Sequence, residues 1–145
     1  MDAADLDALE YDLNGPPEFL CQQPDGRKNW SEIARQAELF RLMHMLAPHV
    51  MGFAIPNAGK RNPRQAKREG LLAGLPDTQW LFRDLCAFVE IKGYDSRGRP
   101  GALKLAQIET CNRMHRLGWP VAMFFDPLVA VAWLRSIGFP VRPIS

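Results

Sequence analysis

Two spacings of apolar residues alternate along this chain, one of three to four residues and one of two. Between about residues 31 and 45, Ile33, Ala37, Phe40 and Met43 or His44 recur at the period of one helix face, with Ser31 placed to cap it. Glu32 and Gln36 sit one turn apart beside that stripe, so both can look inward. "VMGFAIP" (residues 50–56) reads as a short strand stopped by its proline. Asn62 and Pro63 open a second, short helix, and Gly70 suits its end. "DTQWLF" and "LCAFVEIK" (residues 77–82 and 85–92) read as two strands joined by a tight turn at Arg83 and Asp84. A helix over about 102–117 follows, with Arg113, His115 and Arg116 in its last turns, where the helix dipole favours cations. "WPVAMFF" is an apolar buried strand, and Asp126-Pro127 caps a last helix, "LVAVAWLRSI". The order α-β-α-β-β-α-β-α predicts an α/β layer fold with one mixed central sheet flanked by helices.

The last helix has no polar face until Arg135, and a helix apolar all round is buried all round. In a chain of 145 residues, one of its faces is expected to meet another subunit, giving a homodimer. Hydrophobic content of 47% and charged content of 23% are those of an ordinary globule. No apolar run approaches the ~20 residues needed to cross a bilayer. Cys21, Cys86 and Cys111 are odd in number and widely spaced, so reduced thiols in a cytoplasmic protein are expected. A zinc site on His44 and His49 is a poor reading, since a spacing of five misses one helix face and no cysteine is near.

Charge changes the picture. Seven of the 16 acids (Asp2, Asp5, Asp7, Glu10, Asp12, Glu18, Asp25) lie in residues 1–26, which hold no base. All 18 Lys and Arg therefore share residues 27–145 with nine acids, a formal charge of +9 hidden under a net +2. Residues 1–30 read as an acidic, turn-rich leader, and residues 31–145 as the domain proper. That leader is either a solvated tail or a segment able to occupy a basic groove. A basic body points to a polyanionic partner. Lys60, Arg61, Arg64, Lys67 and Arg68 place five positive charges within nine residues, and Arg97, Arg99 and Lys104 follow the strand that ends at Lys92. Such residues grip phosphates and carry no base sequence.

The chemistry concentrates in "AFVEIKG" (residues 87–93). Residues two apart on a strand share a face, so Glu90 and Lys92 point one way while Val89 and Ile91 point the other. A turn centred on Arg83 and Asp84 pairs Phe82 with Leu85, and the ladder then sets Asp77 opposite Glu90. Opposed residues have Cβ atoms about 5 Å apart. Two carboxylates that close repel unless a proton or a cation lies between them. Converging carboxylate oxygens are what a hard divalent ion such as Mg²⁺ or Mn²⁺ takes. An ammonium on the same face can orient water and add positive charge for phosphoryl chemistry. Gln107 shares a helix stripe with Leu103, Thr110, Met114 and Leu117, and a glutamine facing a core must find partners, Lys92 among them.

Taken in order, "FAIPNAGKR", "EGLLAGLPD", "GLPDTQWLF", "AFVEIKG" and Gln107, with Glu32 and Gln36 ahead of them, resemble the VRR-NUC branch of the PD-(D/E)XK nuclease superfamily over about residues 31–126. The resemblance implies a restriction-endonuclease-like core and a metal-dependent DNA endonuclease. It makes Asp77 and Glu90 metal ligands, with the backbone carbonyl of Ile91 completing the coordination. Lys92 becomes the catalytic lysine, Gln107 the glutamine of the pattern, and Glu32 the acid of the first helix, assisting at the metal; Glu38 is its rival. Small stand-alone members look like viral or prophage proteins that dimerise and cut branched DNA such as Holliday junctions. One departure is visible: "FRDLC" lacks the glycine common in the family's turn after the aspartate. The rival reading is a non-catalytic nucleic-acid-binding module on a nuclease-like scaffold.

Overall fold

The computed structural model describes residues 16–56 and 62–143. Its elements are β1 (Leu20–Cys21), α1 (Glu32–Leu46), β2 (Met51–Ala54), α2 (Pro63–Arg68), β3 (Thr78–Phe82), β4 (Leu85–Ile91), α3 (Leu105–Arg116), β5 (Val121–Phe124) and α4 (Pro127–Ser136). The five strands form one sheet in the order β1-β5-β4-β3-β2. β2, β3 and β4 run antiparallel, whereas β4, β5 and β1 run parallel, so the sheet is mixed. A parallel pair needs a crossover, and α3 supplies it between β4 and β5.

The sheet's two faces are covered differently. Trp80, Ala87, Val89, Ile91, Ala122 and Phe124 pack with Leu39, Leu42 and Met43 of α1 and with Ala130, Val131 and Leu134 of α4. Val121, Met123 and Phe125 pack with Cys111 of α3, Phe19 and Tyr94 on the opposite face. Strand alternation thus turns Val89 and Ile91 toward the two-helix layer and leaves Glu90 and Lys92 on the α3 side. Among the described residues no helix is long and apolar enough to cross a membrane.

The β3–β4 hairpin carries the expected register, Phe82 opposite Leu85 and Thr78 opposite Val89. In place of a turn glycine, Arg83 itself takes the left-handed conformation (φ 53°). Thr78 Oγ1 donates to the Val89 carbonyl (2.8 Å) and accepts from Trp80 Nε1 (2.9 Å), locking the hairpin on its buried side.

Three sequence expectations need correction. The first strand, β1, falls inside the stretch read as a leader: Leu20 and Cys21 pair with Ala122 and Met123, and Phe19 is buried beside them. A two-residue strand is too short to leave a periodic signal. The stripe on α1 holds at buried Met43 and at Phe40, which packs on the core, but fails in the first turns. Its buried residues are Arg35, Leu39, Leu42 and Met43, whereas Ile33 is 85% exposed and Ala37 is exposed. An arginine in the buried row hid that row from a reading that counts apolar residues only. On α3, Leu117, placed on the core stripe by its spacing, is exposed because the helix ends at Arg116.

Candidate active site

One rung beyond the last ladder pair of β3 and β4, Asp77 meets Glu90. The Asp77 backbone N–H donates to Glu90 Oε2 (2.9 Å). Carboxylate oxygens of Glu32, Asp77 and Glu90 all lie within 4.8 Å of one another. Glu90 is 1% exposed and Lys92 7% exposed, so the two charges are set into the core and do not form a solvated strand face. The Lys92 ammonium lies 3.4 Å from Glu90 Oε1.

Gln107 ties the set to α3. Its Nε2 donates to Glu90 Oε1 (2.9 Å), and its Oε1 accepts from Lys92 Nζ (3.2 Å) and from the Lys104 backbone N–H (3.0 Å). These partners fix which way the amide points, because both donors must meet the oxygen. A half-buried amide in the first turn of α3 therefore orients the lysine and one acid together.

Two glycines permit the approach of the surrounding elements. At Gly74 (φ +82°), a Cβ would collide with the Ala106 backbone, so the loop that leads into Asp77 lies directly on the first turn of α3. Thr110 Oγ1 donates to the Ala73 carbonyl (2.7 Å) and holds it there. At Gly93, a Cβ would collide with the backbone of Ser31 and Glu32. That contact brings the N-terminus of α1, capped by Ser31 Oγ accepting from the Ala34 N–H (3.2 Å), against the end of β4.

Arg35, a turn later, secures that helix end from inside. Its Nε donates to the Trp30 carbonyl (2.8 Å), Nη1 to Asp25 and the Phe125 carbonyl (2.7 Å each), and Nη2 to Asp25 (3.1 Å) and the Arg27 carbonyl (2.8 Å). All five guanidinium N–H groups are thereby used. The rings of Trp30, Tyr94 and Phe125 surround its charge. Reading the sequence missed this anchor; the available signal was one basic residue at the spacing of Leu39 and Leu42.

Burial, then the adjacent Asp77 charge, pushes the Glu90 carboxyl up to about 8, against the opposing pull of Lys92. Burial also raises Glu32, with Asp77 adding to the rise and Lys92 and Lys104 opposing it. Asp77 Oδ2 is buried and has no hydrogen-bond partner. A buried acceptor without a donor is costly unless something positive meets it. Three converging carboxylates with one oxygen unpartnered form an all-oxygen donor set suited to a hard divalent cation. Ile91, the last residue of β4, is buried opposite Phe124.

Two grooves border the acids and meet at Glu32 and Ile33. One of about 290 Å³ is lined by Glu32, Ile33, Gln36, Ala37, Phe40 and Asp77. The other, about 480 Å³, runs between Ser31–Ile33 and the hairpin of residues 93–101. That hairpin is closed by its own hydrogen bonds: Gly101 N–H to the Gly93 carbonyl (2.8 Å), Asp95 N–H to the Arg99 carbonyl (2.9 Å), and Asp95 Oδ1 accepting from Arg97 and Arg99 N–H (2.9 Å each).

The described residues expected to grip phosphates sit on three separate pieces of the fold: α2, the 93–101 hairpin and the start of α3. Arg64, Lys67 and Arg68 are exposed on α2, whose last turn holds Lys67 and Arg68. Arg97 and Arg99 are exposed on the hairpin, with Arg99 Nε on Asp95 Oδ2 (3.0 Å). Lys104 caps α3 and lies close enough to favour ionised Glu32. Lys60 and Arg61 lie outside the described residues. Glu38, the rival acid on α1, is paired with Arg41 (2.5 Å), away from the cluster. His44 and His49 are exposed and take no part in it. No protein-family model matches the chain, and neither a curated protein nor a solved structure matches it.

Proposed function

We propose that this chain is a divalent-metal-dependent endodeoxyribonuclease with a restriction-endonuclease-like core of the VRR-NUC type. The observation that carries the reading is the cluster of Glu32, Asp77 and Glu90 around an unpartnered Asp77 oxygen, with the Lys92 ammonium beside it. Asp77 and Glu90, with the Ile91 carbonyl, would hold Mg²⁺ or Mn²⁺, and Glu32 would assist. Bound there, the cation supplies a Lewis acid that draws charge from a phosphodiester and lowers the pKa of water. Lys92 orients the attacking water and adds positive charge where the phosphorus gains negative charge. Gln107 keeps the lysine aimed, and Asp77 and Glu90 provide the anionic wall that makes the ion bind. Arg64, Lys67, Arg68, Arg97, Arg99 and Lys104, with Lys60 and Arg61, contact phosphates and favour DNA recognised by shape, branched DNA above all.

A homodimer and a cytoplasmic setting belong to the same reading. α4 keeps Leu128 and Val129 exposed at its first turn, an apolar edge open to a second copy. Light scattering at micromolar concentration tests this, and a monomeric mass contradicts it. The activity is tested by incubating labelled junction, flap, nicked and linear DNAs with Mg²⁺, Mn²⁺ or EDTA. Cleavage that needs the ion and disappears in Asp77→Asn and Lys92→Ala is expected. Salt-sensitive binding without cutting in either metal would instead make the chain a binding module.

A further inference from the structure

Ile33 is 85% exposed, the most open large apolar side chain among the described residues, and it follows directly on Glu32. It lies on the border shared by the two grooves that flank the acid cluster. On a first helical turn the Cα–Cβ bonds lean toward the helix N-terminus, so Ile33 leans toward the same sheet end as the acids. Neighbouring Cα atoms are about 3.8 Å apart, so the Glu32 and Ile33 side chains leave the helix from adjoining points. One groove beside it joins Ala37 and the half-buried Phe40 ring to Gln36 and the acids Glu32 and Asp77; the other presents Asp95, Ser96, Arg99 and Pro100.

We propose, resting on the nuclease reading above, that Ile33 is a wedge: it enters between the two nucleosides that flank the scissile phosphate and sends one into each groove. Nucleic acid is the occupant that fits, because Arg99, paired with Asp95, lines one groove, Lys104 lies close enough to act on Glu32, and the reacting group at the acids is a phosphodiester. An apolar side chain driven between base steps costs unstacking, which is smallest where the DNA is already open. Ile33 thereby makes the enzyme select distorted or branched DNA over intact duplex.

The test compares wild type, Ile33→Ala and Ile33→Leu on two versions of the substrate that wild type cuts best. One version is fully stacked at the scissile phosphate; the other carries an abasic site beside it. Because Ile33 is open to solvent, melting temperatures should agree among the three proteins. Ile33→Ala is expected to lose about tenfold in kcat/KM on the stacked version and to regain wild-type rates on the abasic one, with Ile33→Leu near wild type throughout. Equal rates for Ile33→Ala and wild type on both versions, or an equal loss on both, would overturn the wedge while leaving the nuclease reading intact. A wild type inert on every DNA in Mg²⁺ and Mn²⁺ would overturn the nuclease reading and the wedge with it.

Discussion

Gly93 lies so close to the backbone of Glu32 that no side chain fits between the end of β4 and the start of α1. The glycine therefore sets how far the third carboxylate stands from the other two. Gly93→Ala must push the helix end away by a fraction of an ångström or more. Displacements of about 1 Å at a reacting centre cost on the order of 100-fold in rate, and overpacking costs about 1–3 kcal/mol in stability. Steady-state cleavage kinetics and denaturant melts should show both losses. Wild-type kcat in Gly93→Ala would mean that the position of Glu32 is immaterial.

Arg35 and Asp25 answer the same need from the interior. Arg35 is fully buried, and its Asp25 partner is 12% exposed. Removing one member of a buried pair leaves the other charge without compensation, typically at about 3–5 kcal/mol. Arg35→Met is thus expected to lower stability by an amount in that range in urea melts. Burial tends to raise the Asp25 carboxyl, but hydrogen bonds from Arg35 and the Arg27 N–H outweigh it and hold the pKa below its ordinary value. A lowered folded pKa contributes stability above the unfolded value of 3.8 that is lost as pH falls through the folded one. Acid melts of Asp25→Asn should lack that component.

Glu90 has the opposite sign. Its folded pKa, about 8, stands above the ordinary 4.5. Its contribution is therefore fully present below about pH 4.5 and is lost as pH rises through about 8. With EDTA present, the melting temperature should fall across that window, and Glu90→Gln should flatten the fall. Binding of a divalent ion must then displace a proton near neutral pH. Calorimetric titrations with Mg²⁺ at pH 7 in buffers of different ionisation enthalpy should report proton release that vanishes in Glu90→Gln.

Part of this arrangement was legible in the sequence because strand geometry is rigid. A two-residue turn at Arg83 and Asp84 dictates every later pair, so the opposition of Asp77 and Glu90 follows by counting. The approach of Gln107 to Lys92 was legible too, since a glutamine on a core-facing helix row has to find partners. Other features depend on contacts distant in the chain. The first turns of α1 were misread because Arg35 is buried by Asp25, Trp30 and Phe125, none of which its own helix period reveals. β1 was missed because two residues cannot display alternation, and its stability comes from β5 and from Gln22 Oε1 accepting from the Phe125 and Asp126 N–H groups. The closeness of Glu32 to Asp77 rests on glycine contacts that no spacing rule encodes.

Ion binding at the three acids is measured most directly by titrating the metal-free protein with Mn²⁺ and following the free ion by electron paramagnetic resonance. A metal centre at these acids requires saturable binding that Mg²⁺ competes away and that Asp77→Asn abolishes while the variant stays folded. Binding of Mn²⁺ that is absent in wild type, or unchanged in Asp77→Asn, would contradict it.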